Sequence, residues 1–507
     1  MGNMLYTPFS TLIFYDTVII MNKCPYEKGQ LLYLLRGQVL RVIEITPLLD
    51  RQGRKNPLYV QLYSYIKEQI QSGSISEGVK LPSIRQLSQY LKISKNTVET
   101  AYQQLLAEGY IESKTRNGLC VLALEEVSLE NPQALIGSIQ SRTENAYRYD
   151  FVYGDIDLNR FPLSTWKRCM MDSLSKESNA LLKYGHPQGE PELRLQIAQY
   201  LFQSRGISCH PDQILICSGT QHSISMLVQL LSLGGQNVGM ENPGYNGVRT
   251  VFRNHGCPIR PITIEQDGLN VEELQLVNIK AAYVTPSHQF PLGMVLSIQK
   301  RMKLLQWAAH NDAIIIEDDY DSEFRYIGQP IPSLKALDTG ERVVYLGTFS
   351  KSFLPAARLS YMVVPTAMME KLNEVLLVYN QPASPIIQQA VFLFMDRGHF
   401  AGHIRKMRRL YQAKHKTFIG AIQRYMGDRV NIIGHKSGLH ILLDIKQRDS
   451  MELIELAARN GVKVYSPKLH WMEPEKCPSS YVLLGFGGLS EEEIEEGIAL
   501  LSSTWFG

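Results

Sequence analysis

The chain has no C-x-x-C pair. Its seven cysteines (Cys24, Cys120, Cys169, Cys209, Cys217, Cys257 and Cys477) are odd in number and scattered. That argues against a disulfide framework or a zinc ribbon and for a reducing, cytoplasmic setting. No run reads as a membrane span. The long uncharged stretch Gln213–Met240 holds Gln, Ser, His and Gly, which suits a strand, turn and helix better than a bilayer. The start, MGNMLYTPFSTLIFYDTVIIM, lacks a basic n-region and is interrupted by Asp16, so it is not read as a signal peptide. Net charge is small, +3, so the chain as a whole is no polyelectrolyte. Internal repeats and low-complexity tracts are also missing.

What is present is length and uneven charge. The 507 residues, 44% hydrophobic and 20% charged, fit a globular protein of several domains. Residues 51–120 carry ten Lys/Arg against five Glu. A basic segment on a near-neutral body points to a local contact with nucleic acid. Residues 1–45 match no pattern and are left unassigned.

From Pro57 the pattern sharpens. Leu58, Leu62, Ile66 and Ile70 recur at helical spacing, and the helix stops near Gly73. Ser83 with Gln86 has capping-box spacing and opens a second helix reaching Leu91. Ser94 is a further N-cap, ahead of the stripe Val98, Ala101, Tyr102, Leu105. Two β-like runs, Tyr110–Ser113 and Leu119–Leu122, flank Arg116-Asn117-Gly118, a hairpin signal. Three helices and a hairpin make a winged helix-turn-helix over residues 55–123. The N-terminal part of its second motif helix, Ser94-Lys95-Asn96-Thr97, enters the major groove in this geometry. Lys and Asn suit guanine and adenine edges, and the hydroxyls suit a base or a phosphate. Ser83 and Arg85 precede it, and Arg116 and Gly118 on the wing fit a minor groove. A small helical packing module with a solvated face is the bland alternative.

The series Gly73-x-Ile75-x-x-Gly78-x-x-Leu81-Pro82-Ser83-x-Arg85-x-Leu87, then Ser94-Lys95-Asn96-Thr97-Val98, Ala101-Tyr102, Leu105 and Glu108-Gly109-Tyr110-Ile111, resembles the GntR-type winged helix across residues 57–122. In that family the recognition helix commonly opens Ser-Arg, where this chain has Ser94-Lys95.

Residues 124–149 are polar and weakly periodic, a linker with room for one short helix. From 150 to 507, β-like runs (Gln213–Cys217, Val238–Glu241, Ala281–Thr285, Ala313–Glu317, Val343–Gly347, Leu359–Val364) alternate with helical patterns, which predicts a mostly parallel α/β sheet. The last ~130 residues have a second, smaller α+β character, with strands at Gly438–Ile445 and Val482–Phe486.

Several strand ends carry reactive residues. Lys351 follows the apolar run Val343–Leu346 in Gly347-Thr348-Phe349-Ser350-Lys351, with Arg358 seven residues on. Ile314-Ile315-Ile316 delivers Glu317-Asp318-Asp319-Tyr320 to a strand end, where α/β ligands bind. Gly219-Thr220-Gln221 lies between a strand and a helix start, a place for an anion. Tyr245 follows Asn242-Pro243-Gly244. Together these supply what pyridoxal 5'-phosphate (PLP) needs. Lys351 would form the Schiff base. Asp318, with Asp319 as the alternative, would hold the ring nitrogen, and Tyr320 the phenolic oxygen. Gly219, Thr220, Gln221, Thr348, Ser350 and Arg358 would hold the phosphate, and Tyr245 would stack on the ring. A solvated acidic loop or a magnesium site competes for Asp318; no other metal site is read.

These pieces, with Gly154-x-x-Asp157, Tyr184-Gly185-x-Pro187-x-Gly189-x-x-x-Leu193-Arg194 and Thr285-Pro286-Ser287-His288-Gln289-Phe290-Pro291-x-Gly293, resemble fold-type I aminotransferases over residues 150–505. Where many of those enzymes have an Asn bonding the phenolic oxygen, this chain has Phe290, so the resemblance assigns that role to Gln289 or His288. Where many have an Arg for the substrate carboxylate, Val482–Phe486 has leucines. A winged helix ahead of such a domain resembles the MocR/GabR-type transcription regulators. The resemblance implies a homodimer on a double-stranded operator, with PLP on Lys351 and a response to an amine, an amino acid or PLP itself. The two departures favour a sensor over the alternative, a working PLP-dependent aminotransferase with an accessory DNA-binding domain.

Overall fold

The computed structural model describes residues 45, 56–114, 118–123, 147–175, 179–326 and 331–507, and the backbone of four strands before them. The chain divides into two units, 1–143 and 144–507, taken here in turn.

Strands β1 (Phe9–Phe14), β2 (Thr17–Asn22), β3 (Gln30–Leu35) and β4 (Gln38–Ile43) form an antiparallel meander in the unassigned N-terminal segment. Their composition, rich in Ile, Leu, Val, Phe and Thr, suits strands.

Three helices follow. α1 (Leu58–Gln71) buries Leu62, Ile66 and Ile70. α2 (Ile84–Leu91) opens on a complete capping box: Gln86 N–H donates to Ser83 Oγ at 3.3 Å, and Ser83 N–H donates to Gln86 Oε1 at 3.0 Å. α3 (Lys95–Ala107) starts at Ser94, whose Oγ accepts from Thr97 N–H at 3.1 Å. The buried stripe Val98, Ala101, Tyr102 and Leu105 packs α3 onto α1 and α2. Buried Tyr102 satisfies its hydroxyl on Pro82 O at 2.9 Å. The wing is the hairpin β5 (Ile111–Lys114) and β6 (Gly118–Val121), set one residue from the predicted start of each strand. The expected helix in the linker and the wing residues Arg116 and Asn117 lie outside the described residues.

The second unit is built on eight strands in the order β11-β10-β9-β12-β13-β14-β15-β8. These are β8 (Ile214–Cys217), β9 (Val238–Asn242), β10 (Ile259–Glu265), β11 (Gly268–Leu269), β12 (Ala281–Val284), β13 (Ile314–Asp319), β14 (Val343–Thr348) and β15 (Ser360–Val363). β9, β10, β12, β13 and β14 run parallel; β15 is antiparallel to both neighbours, and β11 hairpins back on β10. The central strands are buried on both faces, as a parallel sheet flanked by helices requires. All six predicted strands are present.

A smaller layer closes the chain. Strands β16 (Val430–Ile433), β17 (His440–Ile445) and β19 (Tyr481–Gly485) form an antiparallel sheet. The helices His399–Tyr425 and Glu491–Phe506 pack on it through Met407, Phe418, Ile498 and Trp505. A short parallel pair, β7 (Tyr149–Asp150) with β18 (Val462–Lys463), ties the start of the unit to this layer. Among the described residues no helix is long and apolar enough to cross a membrane.

Candidate functional site

Two places carry the candidate residues. The first is the N-terminal turn of α3. Arg85, Lys95 and Asn96 are exposed, and neither Arg85 nor Lys95 pairs with a carboxylate among the described residues. A free cation at the start of a helix, where the dipole disfavours it, is available to a phosphate or a base edge. Ser83, Ser94 and Thr97 are placed differently. Ser83 Oγ is engaged with Gln86, and Ser94 Oγ sits 2.8 Å from Thr97 Oγ1. These hydroxyls hold the helix starts that present Lys95 and Asn96. Gly118 opens β6 at φ +80, a left-handed value that suits glycine.

The second place is a cavity of about 290 Å³ at the C-terminal ends of the parallel strands. β14 ends at Thr348, and the chain turns through buried Phe349 to bring Lys351 into the cavity. Lys351 Nζ donates to Gly154 O at 2.8 Å and lies 4.7 Å from the Tyr153 ring centre. Burial pushes its pKa down to about 8, against the opposing charges of Asp321 and Asp155.

β13 carries Asp318 to the same cavity. Tyr283, on neighbouring β12, donates its hydroxyl to Asp318 Oδ2. Asp318 Oδ1 is buried and has no partner. Burial raises this carboxyl to about 7. Asp319 points the other way, where Arg205 Nε lies 2.7 Å from its Oδ2 and Tyr345 donates to the same oxygen at 2.6 Å. Of the two acids, Asp318 is the one that lines the cavity. Tyr320 also faces it, its hydroxyl donating to His288 O at 2.9 Å. Behind Tyr320, His288 Nδ1 sits 2.8 Å from Asp321 Oδ2.

The opposite end is a basic, amide-lined cradle. The helix Thr220–Leu230 starts at Gly219, φ +124, without a side-chain cap. A Cβ on Gly219 would stand 2.7 Å from Arg358 Nη2, so only glycine admits the guanidinium so close. Arg358 donates to Ser218 O at 3.1 Å. Thr220, Gln221, Thr348 and Ser350 complete this end. Uncapped amides and a guanidinium together favour an anion. Tyr245 lines the side of the cavity, its ring over Gly247, where a Cβ would meet Cζ at 2.7 Å.

Neither Gln289 nor its alternative His288 lines the cavity, and Gln289 is fully engaged elsewhere. Its Nε2 donates to Pro243 O at 2.8 Å and Phe290 O at 2.6 Å, and its Oε1 accepts from Leu292 N–H at 3.1 Å. The amide is spent on holding its own loop. Sequence reasoning missed Tyr153, Gly154, Tyr283, Thr285, Phe290 and Pro355 as lining residues. A tyrosine inside a buried four-residue strand, as Tyr283 is, has the same local signal as a core residue.

The residues present fit PLP on two structural counts. Asp318 Oδ1 is an orphaned buried acceptor at the cavity floor, suited to a protonated ring nitrogen. The Gly219–Arg358 approach leaves a cradle suited to a phosphate.

Both units match families of known proteins. Residues 58–121 match the bacterial regulatory proteins of the gntR family, and residues 152–499 match aminotransferase class I and II. The HTH-type transcriptional regulator YdeL of Bacillus subtilis, itself uncharacterized, is 42% identical over 91% of this chain and 100% of its own. The probable rhizopine catabolism regulatory protein MocR of Rhizobium meliloti is 33% identical over 90% and 95%. Among solved structures, an archaeal alanine:glyoxylate aminotransferase superposes with a TM-score of 0.65 at 26% identity, covering 70% of this chain and 90% of that one.

Proposed function

We propose that this chain, which belongs to the HTH-type transcriptional regulators joining a gntR-family DNA-binding unit to an aminotransferase class I and II unit, couples operator binding to PLP held at Lys351. The observation that carries the cofactor half is Lys351 Nζ in one cavity with the unpartnered Asp318 Oδ1 and the Gly219–Arg358 cradle. PLP, when bound, supplies an aldehyde reactive toward amines and a ring that withdraws electrons.

The protein's own residues divide the work. Lys351, partly deprotonated near neutral pH, would hold the aldehyde carbon through its amine, the aldehyde oxygen leaving as water. Asp318, held by Tyr283, balances the ring nitrogen's charge. Tyr320 would donate to the phenolic oxygen by turning its one hydroxyl proton from His288 O, and Tyr245 would cover a ring face. Arg358 with the first-turn amides at Thr220 and Gln221 anchors the phosphate. In the first unit, α3 enters the major groove with Lys95 and Asn96 toward the bases, while Arg85 meets the backbone. We place the protein in the cytoplasm as a homodimer, so that two winged helices meet repeated half-sites about one helical turn, or a multiple, apart. A ligand acts only through different affinity for two arrangements of the dimer.

The test is an absorption spectrum with added PLP, on wild type and Lys351→Ala, followed by operator binding of each. The expected result is a Schiff-base band in wild type alone, and an operator affinity that changes on loading in wild type alone. A band in both proteins would remove Lys351 from the role. An affinity indifferent to loading would separate cofactor from regulation. Turnover of an amino donor with a keto acceptor would instead favour a working aminotransferase, which the intact Lys351, Asp318 and Tyr320 permit.

A further inference from the structure

The cavity has two unlike ends. Arg358 and the amide cradle occupy one; beside Lys351, at the other, stand Tyr153, Gly154 and Phe290. Phe290 is 1% exposed and sits inside a wall of rings. Its centre lies 4.6 Å from Tyr153, 4.6 Å from His470, 5.3 Å from His440 and 5.9 Å from Tyr245. Tyr153 in turn packs on an apolar cluster of Leu292, Leu442, Trp471, Cys477 and Leu483. An apolar, ring-lined wall accepts an apolar body and gives a charged one no partner.

Charge is accounted for on every side of that wall. Among the described residues, the cavity lining holds two cations, Lys351 and Arg358. Arg358 is taken by the cradle. Arg249, on the helix Asn246–Asn254, turns its guanidinium to the carbonyls of Leu469 and His470. His440 and His470 are both kept neutral by burial, the second at a pKa of about 4. The carboxylates nearby, Asp155, Asp318 and Asp321, repel a second anion.

We propose that the cavity beside Lys351 takes a primary amine that carries no carboxylate, with an aromatic or aliphatic body laid on the Phe290–Tyr153 wall, and that it discriminates against amino acids. This rests on the reading that Lys351 holds PLP. Among the described residues, an amino acid's carboxylate would meet no cation there other than Lys351, which is committed to PLP. Sites of this kind reject a buried, unpaired charge far more strongly than a missing methylene.

The test uses the full chain loaded with PLP and freed of excess. Two matched pairs differ only in the carboxylate: 2-phenylethylamine with L-phenylalanine, and n-propylamine with 4-aminobutanoate. Each is titrated against the protein's absorption band and normalised to its reaction with free PLP. Operator affinity is measured at the same concentrations. The expected half-saturating concentration is at least tenfold lower for the carboxylate-free member of each pair, with the operator response in the same order. Equal or tighter binding of the amino acids overturns the proposal. A band that no amine perturbs also overturns it, since the cavity would then be reserved for PLP alone. Failure of the band to form in wild type strikes instead at Lys351 itself. Phe290→Leu keeps the wall apolar and removes its ring. With the band of the variant recorded first, it is expected to cut the preference for 2-phenylethylamine over n-propylamine three- to tenfold; an unchanged preference shows that the wall does not select.

Discussion

Arg205 and Asp319 form a buried ion pair, Nε to Oδ2 at 2.7 Å, with side chains 7% and 0% exposed. The pair turns Asp319 away from the cavity and leaves its chain neighbour Asp318 to face it. The two acids therefore answer differently to the same substitution. Asp319→Asn strands a buried guanidinium and is expected to lower stability by about 3–5 kcal/mol. Asp318 has its folded pKa raised to about 7. Its ionisation works against folding as pH rises from about 4 to about 7 and at full strength above. Asp318→Asn at pH 8 is therefore expected to match or exceed wild-type stability while weakening PLP binding at least tenfold. Denaturant unfolding and a PLP titration read the two effects. The reverse pattern would move the ring-nitrogen role to Asp319.

Gly219→Ala tests the cradle. At φ +124 an alanine is strained, and its Cβ would press within 2.7 Å of Arg358 Nη2. The strain alone costs about 1–3 kcal/mol, and the guanidinium must move off the phosphate position. PLP affinity is expected to fall more than tenfold, and free inorganic phosphate to protect the variant less than wild type in a melting experiment. A variant that binds PLP normally would place the phosphate elsewhere.

The first turn of α3 separates a contact residue from a capping one. Lys95 is exposed and free of ion pairs among the described residues. Lys95→Ala is expected to leave the melting temperature unchanged and lower operator affinity, with the slope of log K against log salt reduced by about 1 if the contact is to phosphate. Ser94→Ala removes the cap on Thr97 N–H and is expected to cost about 1 kcal/mol of stability, weakening operator binding through a frayed helix start. Melting curves beside salt-dependent binding assays distinguish the two.

Local signals were legible and long-range ones were not. Ser83 with Gln86 and Ser94 with Thr97 act within three residues, so the starts of α2 and α3 read directly from the chain. Fully apolar runs such as Ile314–Ile316 read equally well. β10 escaped because Arg260 and Pro261 are exposed and break its apolar run. β16 escaped because Asn431 is exposed and only four residues pair. Tyr283 is recognisable as a site residue only once β12 lies beside β13. Likewise, nothing local to Asp319 announces Arg205, 114 residues earlier. Gln289 was assigned from its place in a motif, whereas its orientation is set by the carbonyls of Pro243 and Phe290.

Lys351 supplies a pH test of the cofactor site that needs no ligand beyond PLP. Only the unprotonated amine bonds the aldehyde. Burial lowers the pKa from 10.5 to about 8, with Asp321 and Asp155 holding it from falling further. At pH 7.5 about a quarter of Lys351 is then free to react, against about one in a thousand for an ordinary lysine. Since the neutral fraction rises with pH, the rate of PLP capture is expected to climb steeply from pH 6 and level off above about 8. An ordinary lysine would still be climbing at pH 9.5. PLP has ionisations of its own in this range; divided by the rate of a blocked lysine in the same buffer, which cancels them, the ratio is expected to stay level up to about pH 8 and to fall above it. Asp321→Asn removes a charge that favours the protonated amine, and its profile is expected to shift to lower pH. A wild-type profile parallel to that of the blocked lysine would mean that Lys351 stands in water, and the buried geometry beside Tyr153 and Gly154 would not describe the reacting state.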